Sequence, residues 1–327
     1  MRKRVRKYGV YYFFDTGEKP KREISLGKDY IVALQKYAEL RVNVIAKAGT
    51  FGDAIERYTL EELPKLAKNT QKIFRSDIKH VSSFFSTAPI DQIKPKHIRQ
   101  FIDEHKAIPT TANRCKRVFS VIWNKARGWG YTDLQNPCEG IEGHAVVKST
   151  IYISDDLYKA VYKHANAPLR DAMDLSYLTG QRPADALGMT EFDIIEGVLI
   201  VTQEKTNKPL RITISGELKE LIERIHTRKE SFKVVTGALL INQQGRRLTH
   251  PMLRNYFDEA RQAAIVEAPE QKELIKKFKF RDLRAKAADD ISDSRTEQEA
   301  SDLLGHDNVK TTQKHYLRRG RIVSPTK

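Results

Sequence analysis

Apolar residues recur every three to four positions through most of the chain, and strand-like spacing is confined to two places. Phe51 to Tyr58 is a short amphipathic stretch, and Asn69 to Phe85 carries Ile73, Phe74, Ile78, Val81 and Phe84–Phe85 near a 3.6-residue period. Pro95 fits the first turn of a third helix, with Ile98, Phe101 and Ile102 on one side. Thr110–Thr111 opens a fourth, whose apolar positions are Ala112, Cys115, Phe119, Ile122, Trp123 and Ala126, and Gly128-Trp129-Gly130 stops it. Further on, Ser154 caps a helix that runs to about Ala165, and Leu169 to Leu178 is apolar enough to be buried on all sides. Gly216 to Lys229 and Thr249 to Ala264 follow as helices, the second with Leu253, Tyr256, Phe257, Ala260 and Ala263–Ala264 on its core face.

The first strand-like region is Tyr8 to Asp15, aromatic and β-prone, followed by a turn at 15–18 and a returning strand from Arg22 to Gly27. Asp29 then caps a helix through Leu40–Arg41. The second comprises Val198–Gln203 and Pro209–Ile214, with Glu204-Lys205-Thr206-Asn207-Lys208 as a hairpin tip. Ala238–Ile241 is a short apolar segment. The pattern predicts a mainly α fold with small β-sheets (α+β) in three parts. These are a hairpin-and-helix module over 1–47, a helical domain over 48–146, and a mixed, mostly helical body over 150–327. His144 to Thr150 reads as a polar linker.

With 327 residues, 40% hydrophobic and 31% charged, the chain has the composition of a globular protein. No apolar run has the length of a membrane helix, and the basic start Met1–Lys7 lacks the apolar segment of a secretory signal, so a cytoplasmic location is expected. Cys115 and Cys138 have no metal-ligand spacing and read as reduced, buried residues. The net charge of +16 is unevenly placed: residues 1–49 carry +7, 50–148 carry +5, 149–309 carry −2, and 310–327 carry +6. A polyanion partner accounts for basic ends around a near-neutral body, and solubility is the plainer alternative.

Three blocks carry candidate chemistry. In Thr179-Gly180-Gln181-Arg182-Pro183, Gly180 permits a sharp bend and Pro183 fits a helix start. Arg182 then stands at a helix N-terminus, where backbone N–H groups also favour an anion. Asp185 either buttresses that guanidinium or complements the helix dipole. Arg281-Asp282-Leu283-Arg284 supplies two more cations. Leu303-Leu304-Gly305-His306 is a turn that leads into a short helix ending at Tyr316, the sole tyrosine after Tyr256. His250, at the start of its helix, reads as a cap or a phosphate contact.

Arginine, arginine and His-Tyr blocks in this order resemble the tyrosine recombinases of the phage integrase family. The resemblance implies a small arm-type DNA-binding domain over 1–47, a helical core-binding (SAM-like) domain over 48–146, and a catalytic domain over 150–327, the last two closing around a duplex. It implies strand transfer through a 3′-phosphotyrosine on Tyr316, with no metal and no other cofactor. Arg182, Arg281, Arg284 and His306 would surround the phosphate, and Lys205, with Lys208 as its rival on the same hairpin, would be the lysine of the family's β-hairpin. Expected DNA-binding residues are Arg2, Lys3 and Arg4 at the edge of the first module and Arg114, Arg117 and Lys125 on the fourth helix of the second. Basic residues of this kind also occur as solvated faces. Expected partners are double-stranded DNA attachment sites, a homotetramer on paired sites, and a directionality or host bending factor, with no membrane. The basic tail after Tyr316 would be mobile alone, or would dock on DNA or a neighbouring subunit.

Two features depart from the family pattern. Arg281 stands where the family usually has histidine, and it donates hydrogen bonds but is no base near neutral pH. His306 and Tyr316 are ten positions apart, one more than the commonest interval, and His315 is a spare imidazole. A catalytically weakened or inactive DNA-binding relative, or a nicking enzyme of the type IB topoisomerase kind, are the alternatives.

Overall fold

In the computed structural model, the described residues are 1–6, 9–15, 23–47, 49–146, 151–232, 236–320 and 325–326, with side chains 6 and 39–47 left aside. The expected turn at 16–18, the start of the returning strand at Arg22, part of the linker and the end of the tail lie outside them. The chain divides into two compact units, Met1–Val147 and Lys148–Lys327. It is mostly helical with two small three-stranded sheets. Among the described residues, no helix is long and apolar enough to cross a membrane.

The first unit begins with the antiparallel sheet β1 (Arg2–Arg6), β2 (Gly9–Asp15) and β3 (Glu23–Gly27), followed by α1 (Tyr30–Lys47). Phe14, Leu26 and Ala33 are buried between sheet and helix, and the Asp29 carboxylate accepts from the Val32 amide at 2.9 Å as the helix cap. Then come α2 (Phe51–Glu61), α3 (Lys68–Phe85), α4 (Pro95–Glu104) and α5 (Pro109–Gly128). Phe119 of α5 stacks on Phe51 at 4.2 Å between ring centres, with Phe85 and Trp123 beside them, so the predicted apolar faces meet in one core. Cys115 and Cys138 are buried free thiols, and burial pushes both up to about 12.

The second unit contains α6 (Asp155–Lys163), α7 (Ala167–Thr179), α8 (Pro183–Gly188), β4 (Ile194–Ile195), β5 (Val198–Thr202), β6 (Pro209–Thr213), α9 (Gly216–Glu230), α10 (His250–Glu267), α11 (Lys272–Lys277), α12 (Leu283–Ser294), α13 (Glu297–Leu304) and α14 (Val309–His315). Helix α7 is the apolar centre, with α9, α10 and α12 packed on it. The sheet order is β4-β5-β6, all antiparallel, and α11, α13 and the two-residue β4 go beyond the sequence pattern because each is too short to show a period.

Arg114 joins α3 to α5 through a bidentate pair with Asp77, at 2.6 and 2.9 Å, and the carboxylate is only 1% exposed. Arg114→Met therefore strands a buried carboxylate. It should cost about 2–3 kcal/mol, toward the low end for a broken buried pair because the guanidinium is half exposed. The urea midpoint of the full chain reads this, and an unchanged midpoint would contradict it.

Candidate active site

Three turns meet in the second unit. The first follows α7, where Gly180 adopts φ +63° and a Cβ there would lie 2.9 Å from Leu303. Only glycine meets both demands without strain. The bend makes Arg182 the N-cap of α8, as the sequence predicts. The second is the 280–282 turn that leads into α12, whose second residue is Arg284. The third is Gly305, at φ +67°, which ends α13 and turns the chain through His306 into α14.

Arg284 ties the first and third turns together. Its side chain donates to the Gly180 carbonyl at 2.7 Å and, through the other terminal nitrogen, to the Leu304 carbonyl at 2.7 Å. It is 3% exposed, forms no ion pair among the described residues, and leaves its Nε without a hydrogen-bond partner. Burial lowers its pKa, and neighbouring Arg182 lowers it further. The Tyr316 ring lies 5.2 Å from the guanidinium carbon, in cation–π range.

His306 completes the group. Its Nε2 is 3.3 Å from an Arg284 terminal nitrogen, and its Nδ1 is 2.8 Å from the hydroxyl of buried Thr312. Arginine only donates, so Nε2 is the acceptor and Nδ1 carries the proton toward Thr312. Burial and then Arg284 push the imidazole pKa down to about 4. Its ring centre is 5.0 Å from that of Tyr316. Thr312 and Tyr316 are one helical turn apart, and the Tyr316 amide donates to the Thr312 carbonyl at 2.8 Å. Tyr316, with Ile291 and Leu317, packs against the buried cluster of Ala288, Ala300 and Leu304.

Arg182, Arg284, His306 and Tyr316 are thus brought together. Arg182 donates to Gln203 at 3.2 Å and pairs with Asp185 at 3.5 Å. Asp185 is buried and accepts from the Glu204 amide at 2.9 Å, so it supports both the guanidinium and the hairpin. Lys205 is exposed at the tip between β5 and β6, while Lys208 pairs with Asp307, next to His306. The Arg281 side chain is exposed and has no hydrogen bond or ion pair among the described residues. His315 is also exposed.

The tail departs from the expectation of mobility as far as Arg319. Arg318 donates to the Ile151 carbonyl at 2.7 Å and to buried Asp282 at 3.1 Å, and Arg319 pairs with Asp293 at 2.8 Å. Its own acidic neighbours, partly buried, anchor it.

Of the expected DNA-binding residues, Arg2 pairs with Asp15 at 2.6 Å and Arg4 with Glu23 at 2.7 Å, both on their own sheet. Arg114 is held by Asp77, and Lys125 pairs with Glu62 at 2.8 Å. Lys3 and Arg117 are exposed and form no ion pair among the described residues. The sequence reading passed over Gln181, Gln203 and Thr312. Polar residues inside apolar stretches were the available signal, but their partners lie elsewhere in the sequence.

A profile of the phage integrase family matches residues 152–320. The integrase of Escherichia phage lambda is 24% identical over 342 residues, covering 97% of this chain and 93% of that one. Among solved structures, a lambda integrase dimer bound to a COC′ core site aligns with a TM-score of 0.73 at 21% identity, over 99% of this chain and 97% of that one. A lambda integrase tetramer bound to a Holliday junction aligns with a TM-score of 0.71 at 20% identity, over the same shares.

The His306 imidazole should remain neutral down to about pH 4 in the free protein, which an NMR titration of histidine-labelled chain measures; a midpoint at 6.5 or above would contradict the geometry. The unfolded chain takes up this proton near 6.5 and the folded chain only near 4, so stability falls as pH drops through that window. His306→Gln should remove this part of the acid slope.

Proposed function

This chain belongs to the phage integrase family and is a site-specific tyrosine recombinase, and from that premise we propose how its residues divide the work. The carrying observation is the buried Arg284 guanidinium, which has no carboxylate partner among the described residues and lies against Tyr316, His306 and Arg182. A buried cation in that state favours an incoming anion. The proposed anion is the scissile phosphate of duplex DNA.

Tyr316 Oη attacks phosphorus, an O–P bond forms, and the bond to the 5′-oxygen breaks. The chain is left joined to the 3′-phosphate, and the energy of the ester is kept for resealing by a 5′-hydroxyl from a partner duplex. His306, with Nε2 unprotonated, accepts the phenol proton, or, once Nε2 is protonated, donates to a phosphoryl oxygen. Lys205 delivers a proton to the leaving 5′-oxygen from the exposed hairpin tip. Arg182 and Arg284 bind the phosphoryl oxygens as charge grows on them, with Arg281 as a further donor at the rim. As arginine, Arg281 supports charge stabilisation and no proton acceptance.

The proposed division of labour places arm-site contact in 1–47, core-site contact in 48–146 and chemistry in 150–327. Lys3 and Arg117, which are exposed and have no ion pair among the described residues, are the best placed for phosphate contact. The tetramer of the lambda protein on a Holliday junction supports a tetramer on paired attachment sites for this chain. A directionality or host bending factor and action in the bacterial cytoplasm belong to the same reading.

On a nicked duplex copied from the junctions of the encoding element, the wild-type chain should form a covalent adduct stable in denaturant. Tyr316→Phe should form none, and His315→Ala should retain it. Binding without an adduct by the wild type would favour a chain that kept the fold and lost the reaction.

A further inference from the structure

We propose that Gln203 is a positioning residue for this reaction, fixing Arg182, the Lys205 hairpin and the His306 turn relative to one another through a single amide. The inference rests on the proposed phosphate-binding role of Arg182.

Gln203 is fully buried just beyond the end of β5. Its Oε1 accepts from Arg182 at 3.2 Å and from the Thr206 hydroxyl at 2.9 Å. Its Nε2 donates to Gln181 Oε1 at 2.7 Å and to the Leu304 carbonyl at 3.0 Å. Both acceptor sites and both N–H groups are in use. The partners fix which end of the amide is which: Arg182 can only donate, and the Leu304 carbonyl can only accept. Gln181 extends the link, donating to the Thr179 carbonyl at 2.8 Å and the Leu303 carbonyl at 3.0 Å.

The backbone of Gln203 also closes the hairpin. Its amide donates to the Lys208 carbonyl at 3.0 Å, and its carbonyl accepts from Asn207 at 2.8 Å. Independent support comes from Gly305. A Cβ there would lie 3.1 Å from Gln203 Nε2 and 3.1 Å from a Leu210 methyl, so the turn before His306 is pressed onto this amide. The Leu304 carbonyl receives both Gln203 and Arg284, which joins the amide to the guanidinium held beneath Tyr316.

An apolar isostere would leave Arg182 with only its 3.5 Å pair to Asp185, and the hairpin joined to the His306 turn through the Lys208–Asp307 pair without the buried amide between them. Misplacing a phosphate ligand by a fraction of an ångström affects the chemical step more than duplex binding, which many contacts share.

The test is adduct formation by the full chain on the same nicked duplex, with duplex affinity and thermal midpoint measured alongside. Gln203→Met should slow adduct formation about 10- to 100-fold, in the range for a lost charge-orienting contact, with affinity changed less than about threefold. Combined with Arg182→Lys, the losses should be clearly less than the product of the single losses, because both changes remove one function. Full multiplication, or a wild-type rate in Gln203→Met, would overturn the inference. If Gln203→Met does not fold, Gln203→Asn, which withdraws the amide by one methylene, carries the same expectations. A wild-type rate in Arg182→Lys would instead sink the phosphate-binding reading of Arg182; a slow Arg182→Lys beside an unaffected Gln203 variant would sink the positioning inference alone.

Discussion

A buried guanidinium that forms no ion pair is costly, and the second unit is arranged around satisfying Arg284, which has none among the described residues, by other means. Two backbone carbonyls, from Gly180 and Leu304, receive its terminal nitrogens. Each carbonyl belongs to a glycine-containing turn two residues before a site residue, Arg182 in one case and His306 in the other. The cation therefore fixes the spacing of both turns. The charge itself forms no ion pair among the described residues, and the same bonds that shape the site leave it receptive to an anion.

Other groups settle around that constraint. The aromatic face of Tyr316 covers the guanidinium, and the imidazole of His306 stays neutral beside it. Thr312 binds that imidazole and lies on the same short helix as the tyrosine, so the proposed base and nucleophile are placed by one element. The tail continues past Tyr316 into ion pairs with Asp282 and Asp293, which hold the residue after next and its neighbour to the body of the same chain. Asp185 and the two buried glutamines connect this assembly to the hairpin that displays Lys205.

Helices α2 to α7, α9 and α10 were legible because each buries apolar positions at helical period, and the sequence records that directly, whereas six-residue α8 was legible from Gly180 and Pro183. Arg182, His306 and Tyr316 were legible because turn chemistry and family order coincide at Gly180 and Gly305. Gln203 was invisible: three of its four side-chain partners are 21, 22 and 101 positions away, and an isolated glutamine at a strand end has no period. The same physics separates Arg114 and Arg117, adjacent in type and spacing. One faces buried Asp77 on another helix and the other faces solvent, a distinction set by packing between α3 and α5. Arg2 likewise finds Asp15 on β2, and Arg4 finds Glu23 on β3, one strand further across, contacts that only the folded sheet creates.

The central claim is that Arg284 does two things through one group, holding the turns together and binding the phosphate. Arg284→Lys tests it most directly, because lysine keeps the charge but lacks the fork that reaches both carbonyls. The account predicts adduct formation on a nicked attachment-site duplex slowed by about 100- to 1000-fold, with duplex affinity within about threefold of wild type. Adduct formation at the wild-type rate in Arg284→Lys would contradict it.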